Sequence, residues 1–473
     1  MVSSAPSMSD YIDKSPEFGK AILLDQSQPG GPTLPDLKKM TQALQAQGRE
    51  VIDQSAGCIS LVDQPLNPEF LAWILEYRGK FKEGGPDSPL VFPYNMKGIY
   101  THDQNYDLEY PRMLGVVAED IGITTPYEAT STVAGRAALG GAFFGWQQEN
   151  NRRNLEEGTD KKAAIILPPL AWSGYEPLAK MMGFELIYAP AVSERGLNET
   201  NEGLEAGITL AKAKGFRPIA AISINSSNPT GETTDPAETK KEVGTCAEER
   251  MSFFMDGFYS PIARKGQKET LGLEALQAEL TPKELSVVQV LVGETKVTDS
   301  QKKTAQLFNL APDGHNEKAH RLMGDAITFK KTYNLYARPD EALTAAALHS
   351  FPGGIHEAMG PRYQSLEAAR QAMRTRVGAL IPLVGADSFY STVAMVDEKG
   401  ETLVRDTEGR PVTDPKKASA TLVDRFGLVQ APGGLFRPGA HKLARATAAV
   451  TVETVNRIEG IIQQMLDEAE RHG

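Results

Sequence analysis

The chain is poor in cysteine: two in 473 residues, Cys58 and Cys246. Two thiols build neither a disulfide framework nor a four-cysteine metal site, so a reduced, cytoplasmic setting is expected. The seven histidines are scattered and form no His-x-x-x-His pair, so no metal centre is expected. No apolar run approaches the roughly 20 residues of a membrane-spanning helix, and residues 1–10 lack the charged and apolar regions of a secretory signal. Positive charge is also short, with 50 Lys and Arg against 61 Asp and Glu for a net −11. That balance disfavours binding to a nucleic-acid backbone. Repeats and long low-complexity segments are missing as well. What remains is a chain longer than one ordinary domain and able to bury a large core.

The informative stretch is 219–296. Three β-rich apolar runs, 219–224, 251–255 and 287–292, each hand over to polar residues at their C-terminal ends. The first leads to Asn225-Ser226-Ser227-Asn228-Pro229-Thr230-Gly231, the second to Asp256-Gly257-Phe258-Tyr259, the third to Gly293-Glu294-Thr295-Lys296. In an open parallel sheet that edge is where ligands bind, so Asn228, Asp256, Tyr259 and Lys296 are expected to converge on one crevice. The residue types suit one chemistry. A lysine amine can form a Schiff base with an aldehyde. A carboxylate can keep a pyridine nitrogen protonated, and an amide and a phenol can hydrogen-bond a ring oxygen.

Asn-Pro-Thr-Gly, then Asp-x-x-Tyr, then a strand-end lysine resembles the class I/II aminotransferases, pyridoxal 5'-phosphate enzymes of fold type I. The resemblance implies an α/β fold: a large domain with a mainly parallel sheet flanked by helices, plus a smaller α+β domain. It implies that Lys296 carries the cofactor and acts as catalytic base, that Asp256 holds the ring nitrogen, and that Asn228 and Tyr259 hold the ring oxygen. Ala134-Gly135-Arg136 opens an Ala/Gly-rich helix where the family places its phosphate loop; bare backbone N–H groups at a helix start suit an anion, though small residues also serve close helix packing. Trp172, after the apolar run 163–167, matches the ring-stacking aromatic, with Tyr175 as the alternative. Tyr94, followed by Gly98, matches a tyrosine that reaches the neighbouring subunit's phosphate, which implies a homodimer; an ordinary buried tyrosine is its rival. Arg445 matches the arginine that binds the substrate carboxylate, with Arg437 and His441 nearby.

After Lys296 the resemblance thins. No arginine follows at the usual place, so Arg136, Lys302 or Lys303 is left to supply phosphate charge. Lys330, eight residues before Arg338, echoes the family's lysine-to-arginine phrase, but no apolar strand precedes it, and Lys296 is preferred. Residues 297–326 read as a polar insertion over the site. The expected division is an arm at 1–34, the N-terminal part of the small domain at 35–90, a cofactor-binding domain at 91–340 and the C-terminal small domain at 341–473. The function implied is an enzyme acting on an α-amino acid, most simply an aminotransferase with a 2-oxo acid co-substrate. Elimination or replacement at Cβ or Cγ, on a substrate like S-adenosylmethionine, is the alternative.

Overall fold

The computed structural model describes residues 34–54, 66–82, 110–191, 197, 199–263, 271–297, 304–385, 388–397, 400–437, 440 and 442–472. Residues 1–33 of the arm expected at 1–34, with Tyr94, Lys302, Lys303 and His441, lie outside them.

Helix Leu34–Ala46 and strand β1 (Ile52–Asp53) come first. Through the middle of the chain strand and helix alternate. β2 (Tyr127–Thr132) leads into helix Gly135–Glu157, β3 (Ala163–Leu167) into helix Tyr175–Met181, and β4 (Glu185–Tyr188) into helix Asn201–Ala213. β5 (Arg217–Ile224) leads into helix Pro236–Glu248, and β6 (Ser252–Asp256), β7 (Val288–Val292), β8 (Ala305–Leu310) and helix Glu317–Tyr333 follow. The strands form one sheet in the order β2-β8-β7-β6-β5-β3-β4. From β4 across to β7 all pairs are parallel, while β8 is antiparallel to both β7 and β2. β3, β5, β6 and β7 are buried at every position, as strands covered by helices on both faces must be. Local chemistry sets the helix starts: Thr200 accepts the Gly203 N–H and Asp235 that of Ala237, with Pro236 in the first turn.

The expectation of a polar insertion over 297–326 is overturned. β8 is buried along its whole length inside the sheet, and helix Glu317–Tyr333 packs on helix Gly135–Glu157. Polar residues misled the reading. Asn309 is buried, yet its amide takes a hydrogen bond from Gln289 at 2.7 Å and gives one to Ala319 O at 3.1 Å. A satisfied buried amide costs little and makes a core strand look like a loop. The same helix pair uses the glycines of 135–157: a Cβ on Gly141 would stand 3.2 Å from the Ala326 Cβ, and one on Gly145 3.2 Å from Leu322 O.

A second sheet is formed by β9 (Leu383–Gly385), β10 (Tyr390–Ala394), β12 (Ala431–Pro432) and β13 (Leu443–Thr447), in the order β12-β13-β10-β9; β11 (Leu428–Val429) instead pairs in parallel with β1. Isolated bridges join Val396 with Thr402 and Arg405 with Pro411. The terminal helix Val452–His472 buries Val455, Ile458, Ile462, Met465 and Ala469, the three-and-four spacing of an amphipathic helix.

The two sheets meet at the Asn-Pro-Thr-Gly loop. Gly231 has φ +76°, and a Cβ there would fall 1.7 Å from Tyr390 O. Gly385, at φ +79°, comes equally close to Thr230 O. Thr392 Oγ1 donates to Pro229 O at 3.2 Å. The loop is thus seated by backbone on β9 and β10, which only glycine at these two positions permits.

Candidate active site

Lys296 stands in the turn after β7, tied by a bond from Val297 N–H to Glu294 O at 2.9 Å. Asp256 ends β6, and its neighbour Gly257 donates to Leu291 O at 2.7 Å. Asn228 lies in the loop after β5, and Tyr259 just beyond β6. These four residues line a single cavity of about 440 Å³. Ala134, Gly135 and Arg136, at the start of helix Gly135–Glu157, line it too, as does Trp172. Phe258 and Thr295 also line it, with apolar Leu139, Ile224 and Leu291.

The buried side carries two sets of polar contacts. The Tyr175 hydroxyl donates to Asp256 Oδ2 at 2.5 Å, and Asp256 Oδ1 accepts the Phe258 N–H at 3.2 Å. Asn228 Nδ2 donates to the Tyr259 hydroxyl at 3.3 Å, and Asn228 Oδ1 accepts from Arg445 Nη1 at 2.9 Å. The Tyr259 and Tyr390 hydroxyls are 3.2 Å apart. The Arg445 guanidinium lies 4.1 Å from the Tyr390 ring centroid and 5.0 Å from that of Phe436. Register explains its place: Arg445 on β13 pairs with Thr392 on β10, the residue bonded to the Asn228 loop. Lys296 Nζ sits 5.3 Å over the Tyr259 ring.

Burial raises the Asp256 carboxyl above the usual range, against the opposing pull of the Tyr175 hydroxyl, the Phe258 N–H and the Lys296 charge. Burial also pushes the Tyr175 phenol well up, with the Asp256 charge adding to it, so Tyr175 stays a donor. The Tyr259 phenol is raised well above its ordinary value by burial and by Tyr390, with Arg445 pulling the other way.

The opposite end is barer. A Cβ on Gly135 would come 2.4 Å from the Phe258 ring, and one on Gly293 would come 2.6 Å from it. The ring fills a slot between two glycines and leaves helix-start backbone facing the cavity. Arg136 is exposed, 5.3 Å over the Trp172 ring.

The two aromatics offered for one position turn out to differ in kind. Trp172 lines the cavity, while Tyr175 is fully buried behind it as the Asp256 donor, edge-on to Trp172 at 5.4 Å. The rival lysine, Lys330, is buried in helix Glu317–Tyr333 with its amine 5.1 Å over Tyr336, and it does not line the cavity. Arg338 is exposed, 4.0 Å from Glu341. Arg437 spends its guanidinium on Pro169 O and Ala189 O at 3.1 and 3.2 Å. Tyr390 and Phe436 were not singled out from sequence, because no local pattern marks a residue delivered by the second sheet. Phe258 stood inside the Asp-Gly-Phe-Tyr phrase, and its packing role shows only against Gly135 and Gly293.

Residues 150–289 match the family model described as aminotransferase class I and II. Solved structures share the fold along nearly the whole chain. An aspartate aminotransferase of Rhizobium meliloti is 15% identical with a TM-score of 0.69, covering 95% of this chain and 98% of its own. A Thermus thermophilus aspartate aminotransferase double mutant is 15% identical with a TM-score of 0.67, covering 93% and 98%. An aromatic aminotransferase of Pyrococcus horikoshii is 14% identical with a TM-score of 0.64, covering 92% and 99%. No curated protein matches the sequence. No helix among the described residues is long and apolar enough to cross a membrane. A stretch of the chain thus matches the class I and II aminotransferase model, and the whole chain has the fold of the solved aminotransferases.

Proposed function

We propose that the chain is an aminotransferase that moves the amino group of an α-amino acid to a 2-oxo acid, using the cavity around Lys296. The observation that carries this reading is that Lys296, Asp256, Asn228 and Tyr259, from separate strand ends, line one cavity with the bare helix start at Gly135. The donor set fits pyridoxal phosphate. Lys296 offers the amine for the aldehyde, buried Asp256 a carboxylate for the pyridine nitrogen, and Asn228 with Tyr259 an amide and a phenol for the ring oxygen. Gly135 and Arg136 offer backbone N–H groups and a cation for the phosphate. When bound, the cofactor supplies an electron sink for charge developing at the substrate α-carbon.

The chain's own residues do the rest. Arg445, already oriented by Asn228 Oδ1 and sandwiched by Tyr390 and Phe436, pairs with the substrate α-carboxylate. The Lys296 amine, once free, would take the proton from the substrate Cα as general base and hold it as the ammonium until it is given back. Tyr175 keeps Asp256 fixed by its hydroxyl, so the carboxylate needs no rearrangement during the reaction. Trp172 covers one face of the cavity and limits water. The same reading makes the molecule a homodimer in which Tyr94 serves the partner's site. Mixing Tyr94→Phe with Lys296→Ala protein, each inactive alone, should recover activity after subunit exchange.

The test is a panel of amino acids incubated with and without 2-oxo acids, following keto-acid and ammonia release. Keto acid formed only when a 2-oxo acid is present supports transamination. Ammonia or a β- or γ-eliminated product without a 2-oxo acid overturns it in favour of lyase chemistry.

A further inference from the structure

His349 closes helix Pro339–His349, far along the chain from any motif, and its side chain is 2% exposed. Its Nδ1 lies 2.8 Å from Asp120 Oδ2, and its Nε2 lies 3.3 Å from Glu294 Oε1. Glu294 is itself 2% exposed and stands two residues before Lys296, at the start of the same turn. Asp120 ends helix Pro111–Asp120 and also accepts the Ile355 N–H at 3.3 Å. A Cβ on Gly354, at φ +74°, would fall 2.0 Å from Asp120 Oδ1, so the carboxylate reaches the histidine through space only a glycine leaves.

A bridged imidazole with two carboxylates is a costly thing to bury, and is kept where the geometry it imposes is needed. Here it joins two helices to the turn carrying Lys296, the one lysine among the described residues that lines the cavity. We propose that His349 is a positioning residue for Lys296: held between Asp120 and Glu294, its ring fixes the turn from which the lysine amine reaches the cofactor. It touches neither cofactor nor substrate. The charged groups facing it are Asp120 from one element and Glu294 from the other. Burial alone would lower its pKa, but bonds to both carboxylates outweigh that and raise it from 6.5 to about 9. The ring is therefore an imidazolium at neutral pH, able to donate to both sides at once.

The inference rests on Lys296 being the residue that takes up the cofactor, so the test separates the two. Apoprotein is mixed with excess pyridoxal phosphate, and attachment is followed by stopped-flow absorbance from pH 6 to 10. In the native chain the attachment rate should fall as pH rises through about 9, when the imidazolium is lost. His349→Gln should attach the cofactor at least about tenfold more slowly at pH 7, a loss of about 1.4 kcal/mol, and should lack that fall. Glu294→Gln, which keeps the imidazole and its bond to Asp120, should slow attachment to a similar degree. The double variant should be no slower than the slower single, because both break one link. A native rate in His349→Gln, persistence of the fall near pH 9, or additive losses would each overturn the proposal. If His349→Gln does not fold, an unchanged rate in Glu294→Gln overturns it instead. Lys296→Ala is the control. Undiminished attachment there overturns the cofactor reading and this inference with it, whereas lost attachment there beside a native rate in His349→Gln overturns the inference alone.

Discussion

At one end of the cavity Asp256, Asn228 and Tyr259 are buried and each is bonded to another fixed side chain. At the other end, Ala134 and Gly135 present backbone, and the nearby cation, Arg136, is exposed to solvent. The difference is one of preorganisation. Groups that meet charge developing in the reaction gain from being held rigid in a dry site. Groups that only retain a phosphate can rely on helix-start N–H donors and a screened cation. Substitutions at the buried end should therefore damage turnover, and those at the exposed end should damage cofactor retention.

The largest effect is expected for Lys296→Ala: no covalent cofactor after borohydride reduction, and no turnover. Peptide mapping of the reduced native chain should place the label on Lys296. A label on Lys330 would collapse the comparison by moving the reacting end elsewhere. Next, Asp256→Ala should lose about 10²–10³-fold in kcat with a much smaller loss of cofactor affinity, measured by steady-state kinetics and dialysis. Near-native turnover would remove the buried end's claim to the chemistry.

A pH signature follows from His349, behind the lysine turn. Its folded pKa is raised from 6.5 to about 9, so the stability it contributes is fully present below pH 6.5 and lost as pH rises through about 9. The whole contribution is on the order of 3 kcal/mol. Denaturant melts at pH 6 and pH 10 should show this difference in the native chain and not in His349→Gln.

At the exposed end, Arg136→Ala should weaken cofactor retention about tenfold, near 1.4 kcal/mol, with kcat at saturating cofactor nearly unchanged. Equal loss in kcat would mean that the two ends are not separate in function. Of comparable size, Tyr175→Phe should raise the barrier to turnover by roughly 1.5–3 kcal/mol, the scale of one hydrogen bond to a charged group. Stopped-flow single turnovers would read it.

Much of the buried end was legible in the chain. Apolar runs of strand length ending in Asn228, Asp256 and Lys296 marked both the strands and their ligand-binding edge, because the C-terminal edge of a parallel sheet follows from local alternation of strand and helix. The helix start at Gly135 was legible for the same reason: a helix start after a strand is a local event. The insertion reading at 297–326 failed where side chains satisfy each other across the sheet, as Gln289 and Asn309 do, since polarity in sequence does not record a partner.

The sequence by itself determined which segments form the parallel strands and which polar residues stand at their ends, because those depend on neighbours a few positions away. Only the tertiary structure decided the partners brought from distant segments. Tyr175 reaches Asp256 across the sheet edge, Arg445 and Tyr390 arrive on a second sheet seated by Gly231 and Gly385, and Asp120 and Glu294 meet on His349. Those contacts join residues far apart in sequence, and they are set by how helices and sheets pack, which local residue pattern does not encode.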